Sequence, residues 1–139
     1  MMAPIDTYAA FLEGLTPDNL STLPDYVTRG VRFVDPFNDV TGVDHMTRIF
    51  SAMFAEVGPV KFSVNDAHGD TAAGMLAWRF EAQLRHQLWA FNGASVLRFA
   101  ADGRVREHID HWDAAGSLYE RLPAIGWLLG VLRRRLATR

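Results

Sequence analysis

Residues Val31–Gly42 read V-R-F-V-D-P-F-N-D-V-T-G, and the rest of the chain is arranged around that run. Val31, Phe33 and the β-branched Val34 predict a short strand. Pro36 has no backbone N–H and biases Asp35 toward extended geometry, so strand pairing is expected to stop there. Two uses of Asp35 follow. Asp-Pro and Asn-Asp are common turn chemistry, and the aspartate then serves its own turn. A carboxylate at a strand end among Phe33, Phe37 and Val40 can equally be held over a cavity.

Composition narrows the classes of function. The 139 residues are 49% hydrophobic and 22% charged, the balance of a folded globular domain rather than a disordered chain. At that length one domain is expected. There is no cysteine, which excludes disulfides and thiolate metal sites. The N-terminal residues lack a signal-peptide pattern, and no apolar run reaches the ~18 residues of a membrane span. A cytoplasmic protein is expected. The net charge of −2 divides into +4 for residues 114–139 and −6 for the remainder. An acidic body does not suit nucleic acid, where affinity comes from neutralised phosphates.

Periodicity gives the order of elements. Pro4 and the spacing of Ile5, Tyr8, Ala9, Leu12 and Leu15 predict a first helix. Thr16-Pro17-Asp18 opens a short second helix carrying Leu20 and Leu23 and ending near Pro24. After the Asp-Pro run, Thr41-Gly42 opens a third, with Val43, Met46, Ile49, Phe50, Met53, Phe54 and Val57 on one face and Gly58-Pro59 as its stop. From Val60 the period becomes two. Strands are expected over Val60–Val64, Met75–Leu84, Leu88–Phe99 and Val105–Trp112, with turns at Gly69-Asp70, Arg85-His86 and Asp102-Gly103. Helices first and a meander after give the α+β class: three N-terminal helices on a strongly curved, mainly antiparallel sheet, followed by a C-terminal helix.

Alternation assigns faces. One face carries Leu76, Trp78, Phe80 and Ala82, then Trp89, Phe91, Gly93 and Ser95, then Arg106, His108, Asp110 and Trp112. Arg79 and Glu81 lie on the other. Three tryptophans on one face describe a bulky core or an aromatic-lined pocket. His108 and Asp110, two apart on one strand, point the same way ~7 Å apart, so they could share a substrate or a water without touching. They could also satisfy each other as a buried polar pair. His45, His68 and His86 fall on a helix surface or in turns, and no ligand set with metal spacing is present.

The order and spacing of these motifs resemble the nuclear transport factor 2-like superfamily, which includes ketosteroid isomerases and SnoaL-like polyketide cyclases. V-D-P-F at Val34–Phe37 is similar to the general-base motif of the isomerase. G-M-L-A-W-R-F-E at Gly74–Glu81 fits its pocket-lining strand, V-L-R-F-A-A-D-G-R-V at Val96–Val105 its last hairpin, and His111-Trp112 its final strand. The resemblance implies a cone-shaped α+β fold with an internal pocket, no cofactor and no metal, and a homodimer. It implies Asp35 as a proton carrier, and the strand alternation adds His108 and Asp110 as its candidate catalytic companions. The ligand would be lined by Phe11, Leu15, Phe37, Phe50 and Phe54 from the helical half. From the sheet it would meet Leu76, Trp78, Phe80, Trp89, Phe91, Ser95 and Trp112. The isomerase also needs a helix-1 tyrosine and a protonated strand aspartate to bind the dienolate oxygen. Those positions fall here on Phe11 and Ser95, and the supporting tyrosine of the third helix on Phe50. The base position is kept and the electrophile is not.

Two functions are therefore expected to compete. One is a cofactor-independent acid/base enzyme of isomerase, cyclase or hydrolase type, acting on a hydrophobic polyketide-, steroid- or terpenoid-like carbonyl compound. The other is a non-catalytic ligand-binding or dimerisation module on the same scaffold. Beyond Ala114, Leu118, Leu122, Ile125, Leu129, Leu132 and Leu136 recur at heptad spacing, Trp127 and Leu128 broaden the stripe, and Arg133–Arg135 and Arg139 crowd its end. This extension is expected to be a helix, kinked at Pro123, packed on the sheet or on a second subunit. A pocket lid and a membrane-surface contact are the other readings.

Overall fold

The computed structural model describes residues 2–84, 86–117 and 123–137. Helix α1, Pro4–Glu13, leads through a 3-10 helix at Leu20–Asp25 into β1, Val27–Val34. A three-residue strand β2, Asp39–Thr41, precedes α2, Val43–Val57. Strands β3 (Lys61–Gly69), β4 (Ala73–Leu84), β5 (Gln87–Phe99) and β6 (Val105–Trp112) complete one six-stranded sheet. Helices α3 (Ala114–Ser117) and α4 (Pro123–Leu136) follow. The architecture is mixed α+β with an open sheet, and five helices occur among the described residues.

The strand order is β2-β1-β6-β5-β4-β3. The meander from β3 to β6 is antiparallel throughout, as the turn signals require. The pair β1–β6 is parallel, with Phe33 opposite His108 and Val34 opposite Ile109. That register places Asp35 beside Asp110 at the end of the two adjacent strands.

Four local expectations are corrected. The second helix is 3-10, because Pro24 inside it removes a donor the longer α repeat would use. Strand β1 starts at Val27, where fully buried Val27 pairs with Val105 of β6, a long-range contact no local pattern reports. Thr41 belongs to β2, and α2 is opened by Gly42 at φ 109°, a left-handed conformation that glycine adopts without penalty. Arg106 is exposed rather than inward. A register shift between the Arg98 and Phe99 pairings breaks the alternation, so that Val105 and His108 both face the core.

Helix α2 is held by burial of Val43, Met46, Phe50, Phe54 and Val57, each contributing ~1.5–3 kcal/mol when removed from water. Helix α1 lies against β3 and β4, and α2 against β1 and the 3-10 helix. The core between them and the sheet includes Tyr8, Leu23, Val31, Phe33, Met46, Leu76 and Leu97, all at most 2% exposed.

Pro123 begins α4 instead of kinking it, a position where its missing N–H is not needed. Leu118, Leu122 and Arg139 of the expected stripe lie outside the described residues, as does Arg85 of the second turn. Within α4, Trp127, Leu132 and Leu136 are exposed, so these three do not pack on the sheet as expected. No helix among the described residues is long and apolar enough to cross a membrane.

One close approach sets the sheet's inner surface. Gly93 of β5 pairs with Trp78 of β4, and the indole lies directly over the glycine, where an added Cβ would overlap the ring. Gly93→Ala is therefore expected to lose about 1–3 kcal/mol of stability through overpacking, read from urea unfolding, with a shifted Trp78 fluorescence contribution. An unchanged midpoint would mean that the indole is not seated there.

Candidate active site

A cavity of ≈ 140 Å³ opens between α1, α2 and the inner face of the sheet. Its walls are apolar: Leu12 and Leu15 from the α1 end, Phe50, Met53 and Phe54 from α2, Phe62 from β3, and Trp78, Phe80, Trp89, Phe91 and Trp112 from the meander. The rings brace one another. Phe91 stacks between Phe80 (centroids 4.8 Å apart) and Trp112 (4.4 Å), with Trp89 tilted against it at 4.9 Å. The polar residues at the cavity surface are Asp35, His108 and Asp110.

These polar residues belong to a longer chain of contacts. The indole Nε1–H of Trp78 donates to Ser95 Oγ at 2.9 Å, and the Ser95 hydroxyl donates to Asp110 Oδ1 at 2.5 Å. His108 Nε2 meets the same oxygen at 2.6 Å, and His108 Nδ1 lies 2.7 Å from the Tyr8 hydroxyl. A carboxylate offers only lone pairs, so Nε2 carries the proton shared with Asp110. With the ring neutral, Nδ1 accepts from Tyr8 O–H, and every donor and acceptor of the imidazole is used once. Asp110 Oδ2 has no hydrogen-bond partner among the described residues.

Burial keeps the far end of this chain protonated. Desolvation, followed by the repulsion of Asp110, holds the Tyr8 phenol well above its ordinary value of 10.0. Tyr8 therefore keeps a proton to donate at neutral pH. His108 is 2% exposed, whereas the Asp110 side chain keeps 16% exposure at the cavity.

Asp35 does both things its sequence allows. Its Oδ1 accepts from the backbone N–H of Phe37 (2.8 Å) and of Asn38 (2.8 Å) and from Asn38 Nδ2 (3.0 Å), while Asp35 N donates to Asn38 O (2.9 Å). That is an Asx-type turn. The half-buried residue also reaches the cavity surface next to Asp110.

The sequence-derived set is thus partly gathered. Asp35, His108, Asp110, Leu15, Phe50, Phe54, Trp78, Phe80, Trp89, Phe91 and Trp112 line one cavity. Phe11 does not; it is buried in the core and stacks on Tyr26 at 4.0 Å. Leu76 is core, behind the lining, and Ser95 is 1% exposed, reaching the site only through Trp78 and Asp110. Phe37 is 47% exposed, set edge-on to Trp112 at 5.5 Å outside the lining. His108 and Asp110 touch directly, contrary to the separation inferred from strand spacing, because their side chains lean toward one another along the strand.

Tyr8 was the residue not anticipated. On the helical repeat it falls with Ile5 and Leu12 on the buried face of α1 and reads as core. The available signal was its hydroxyl, which must find a partner once buried. Phe33, Met53, Val60 and Phe62 also enter the lining.

The SnoaL-like domain model matches residues 8–108. The chain belongs to the SnoaL-like domain family. Among solved structures, a SnoaL-like polyketide cyclase from Agrobacterium tumefaciens is 16% identical, with a TM-score of 0.70 over 88% of this chain and 100% of that one. An LEH-like epoxide hydrolase from M. tuberculosis is 19% identical, with a TM-score of 0.69 over 98% of this chain and 95% of that one. A protein with a ketosteroid isomerase-like fold from Catenulispora acidiphila, in complex with trimethylamine, is 16% identical, with a TM-score of 0.72 over 87% and 94%. No curated protein matches significantly. At these identities the likeness shows the fold alone, which does not fix a function.

The Tyr8 contact makes a testable statement about alkaline stability. A phenol whose folded value lies above 10.0 stabilises the fold below that pH. The contribution is lost as pH rises, because the unfolded chain releases its proton first. Tyr8→Phe is expected to cost about 1–3 kcal/mol near neutral pH by leaving His108 Nδ1 unpaired. In urea unfolding the gap to the parent should narrow by ~1.4 kcal/mol per pH unit above the ordinary tyrosine value. A pH-independent gap would contradict the assignment.

Proposed function

We propose that this SnoaL-like protein is an acid/base enzyme that moves a proton on a small hydrophobic molecule, with Asp110 as the proton acceptor. The observation that carries the reading is a carboxylate divided between two tasks. Oδ1 is pinned by Ser95 and His108, which fix the plane of the group, and Oδ2 is left for the cavity. A base held in this way needs no reorganisation when it takes a proton. His108 and Tyr8 are positioning residues that act through Asp110. Asp35, on the neighbouring strand, is the second carboxylate, suited to orienting the substrate or returning the proton.

The geometry supports a narrower substrate than the sequence suggested. A cavity of about 150 Å³ holds a benzene-sized molecule, and this one is ≈ 140 Å³. A single-ring compound, or one ring of a larger molecule reaching out of the mouth, fits better than a buried polycycle. The reaction is proton abstraction from carbon or activation of a water for addition, the two uses of one oriented carboxylate.

A ligand-binding module without turnover is the second reading. It is favoured by the positions of Phe11 and Ser95, since neither provides a free donor for a developing oxyanion.

The test is a panel of single-ring epoxides and β,γ-unsaturated ketones incubated with the protein in D2O and followed by NMR. Hydrolysis or deuterium incorporation is expected for at least one class, with Asp110→Asn lowering kcat by ~100-fold or more and KM little changed. Turnover that survives Asp110→Asn would remove the assigned role. Binding without turnover across the panel would favour the second reading.

A further inference from the structure

We infer that the cavity is a receptor for a small organic ammonium ion, no larger than one ring with its amino group. The inference rests on the cavity being the functional site, and not on its being catalytic.

Hydrogen-bond donors come first. Trp78 Nε1–H is engaged by Ser95, Ser95 O–H by Asp110, and Trp89 Nε1–H by the Ser117 carbonyl at 2.8 Å. His108 Nε2–H is engaged by Asp110, and the Tyr8 hydroxyl by His108 Nδ1. Each of these side-chain donors is therefore committed within the protein. A ligand carboxylate or phosphate entering the cavity would lose its hydration and find none of them free, an unfavourable exchange for an anion beside two carboxylates.

Charge points the same way. The ionisable side chains at the cavity surface are Asp35, Asp110 and His108, with no lysine or arginine among the described lining residues. The parallel register of β1 and β6 sets the two aspartates side by side. Both are acceptors, and Asp110 Oδ2 has no partner among the described residues. Around them stand the rings of Phe33, Phe50, Phe80, Phe91, Trp89 and Trp112. A ring face attracts a cation within about 6 Å, and tryptophan does so best. Two carboxylates beside an aromatic enclosure supply both halves of ammonium recognition: a counter-charge and a desolvated, electron-rich wall.

The volume limits what can bind. A cavity of ≈ 140 Å³ accepts trimethylammonium or benzylammonium and rejects a tetracyclic amine, unless that amine inserts only one end.

Isothermal titration calorimetry of the full chain at neutral pH tests this with three probes of equal size: benzylammonium, benzyl alcohol and benzoate. Benzylammonium should bind at least about tenfold tighter than benzyl alcohol, and benzoate should not bind. Asp110→Asn and, separately, Asp35→Asn should each weaken benzylammonium binding by a larger factor than benzyl alcohol binding, so that the preference between the two falls. Circular dichroism confirms that each variant is folded, and either one suffices if the other is not. Equal affinity for the ammonium and the alcohol would overturn the cation assignment alone. Binding of none of the three would overturn it together with the cavity's role as a ligand site. Tightest binding of benzoate would reverse the charge argument outright.

Discussion

A buried imidazole must satisfy two nitrogens at once, and His108 does so by joining opposite ends of the chain. Tyr8 of α1 supplies one partner and Asp110 of β6 the other. Through Asp110 the line continues to Ser95 on β5 and Trp78 on β4. Four elements are tied by polar contacts that pass beneath an otherwise apolar enclosure. Such a network is worth having only when complete, since an unpaired member in this environment costs more than the bond it replaces. Its completeness also decides what the cavity presents: the donors are turned inward to one another, and acceptor capacity is left facing the cavity.

Much of the scaffold was legible in the residues. The i, i+3, i+4 run from Val43 to Val57 is a strong local signal, and both α2 and β6 carry the limits read from the sequence. The aromatic face of β4 and β5 followed from period two, because a sheet with one buried side separates its residues that way. The parallel β1–β6 pairing was not legible, since it joins residues some seventy positions apart and leaves no mark in either strand. Nor was the register shift that turns Arg106 outward while keeping Val105 and His108 inside.

The site was half legible for a related reason. Strand parity put His108 and Asp110 on one face, but parity says nothing of whether two side chains lean together. Tyr8 sits on an apolar helical stripe where its ring accounts for its presence and its hydroxyl is easily passed over. Resemblance placed the acid/base role on Asp35, which is here bound into its own turn through three hydrogen bonds to Oδ1. The adjacent strand carries a second carboxylate with a free oxygen and a dedicated supporting cast. In the function proposed above, the enclosure is kept and the proton-accepting role falls to Asp110, one strand over from Asp35, since a shared fold does not fix a shared site.

The direct measurement of this account is the protonation of the His108 ring, read by 15N NMR of imidazole-labelled protein with Asp110→Asn as the assignment control. A neutral ring should be found, with its proton on Nε2 and Nδ1 shifted as a hydrogen-bond acceptor. A proton on Nδ1, whether as the other tautomer or as imidazolium, would contradict it: Tyr8 could then not be donating to that nitrogen, and a donor would be released toward the cavity that this description leaves without one.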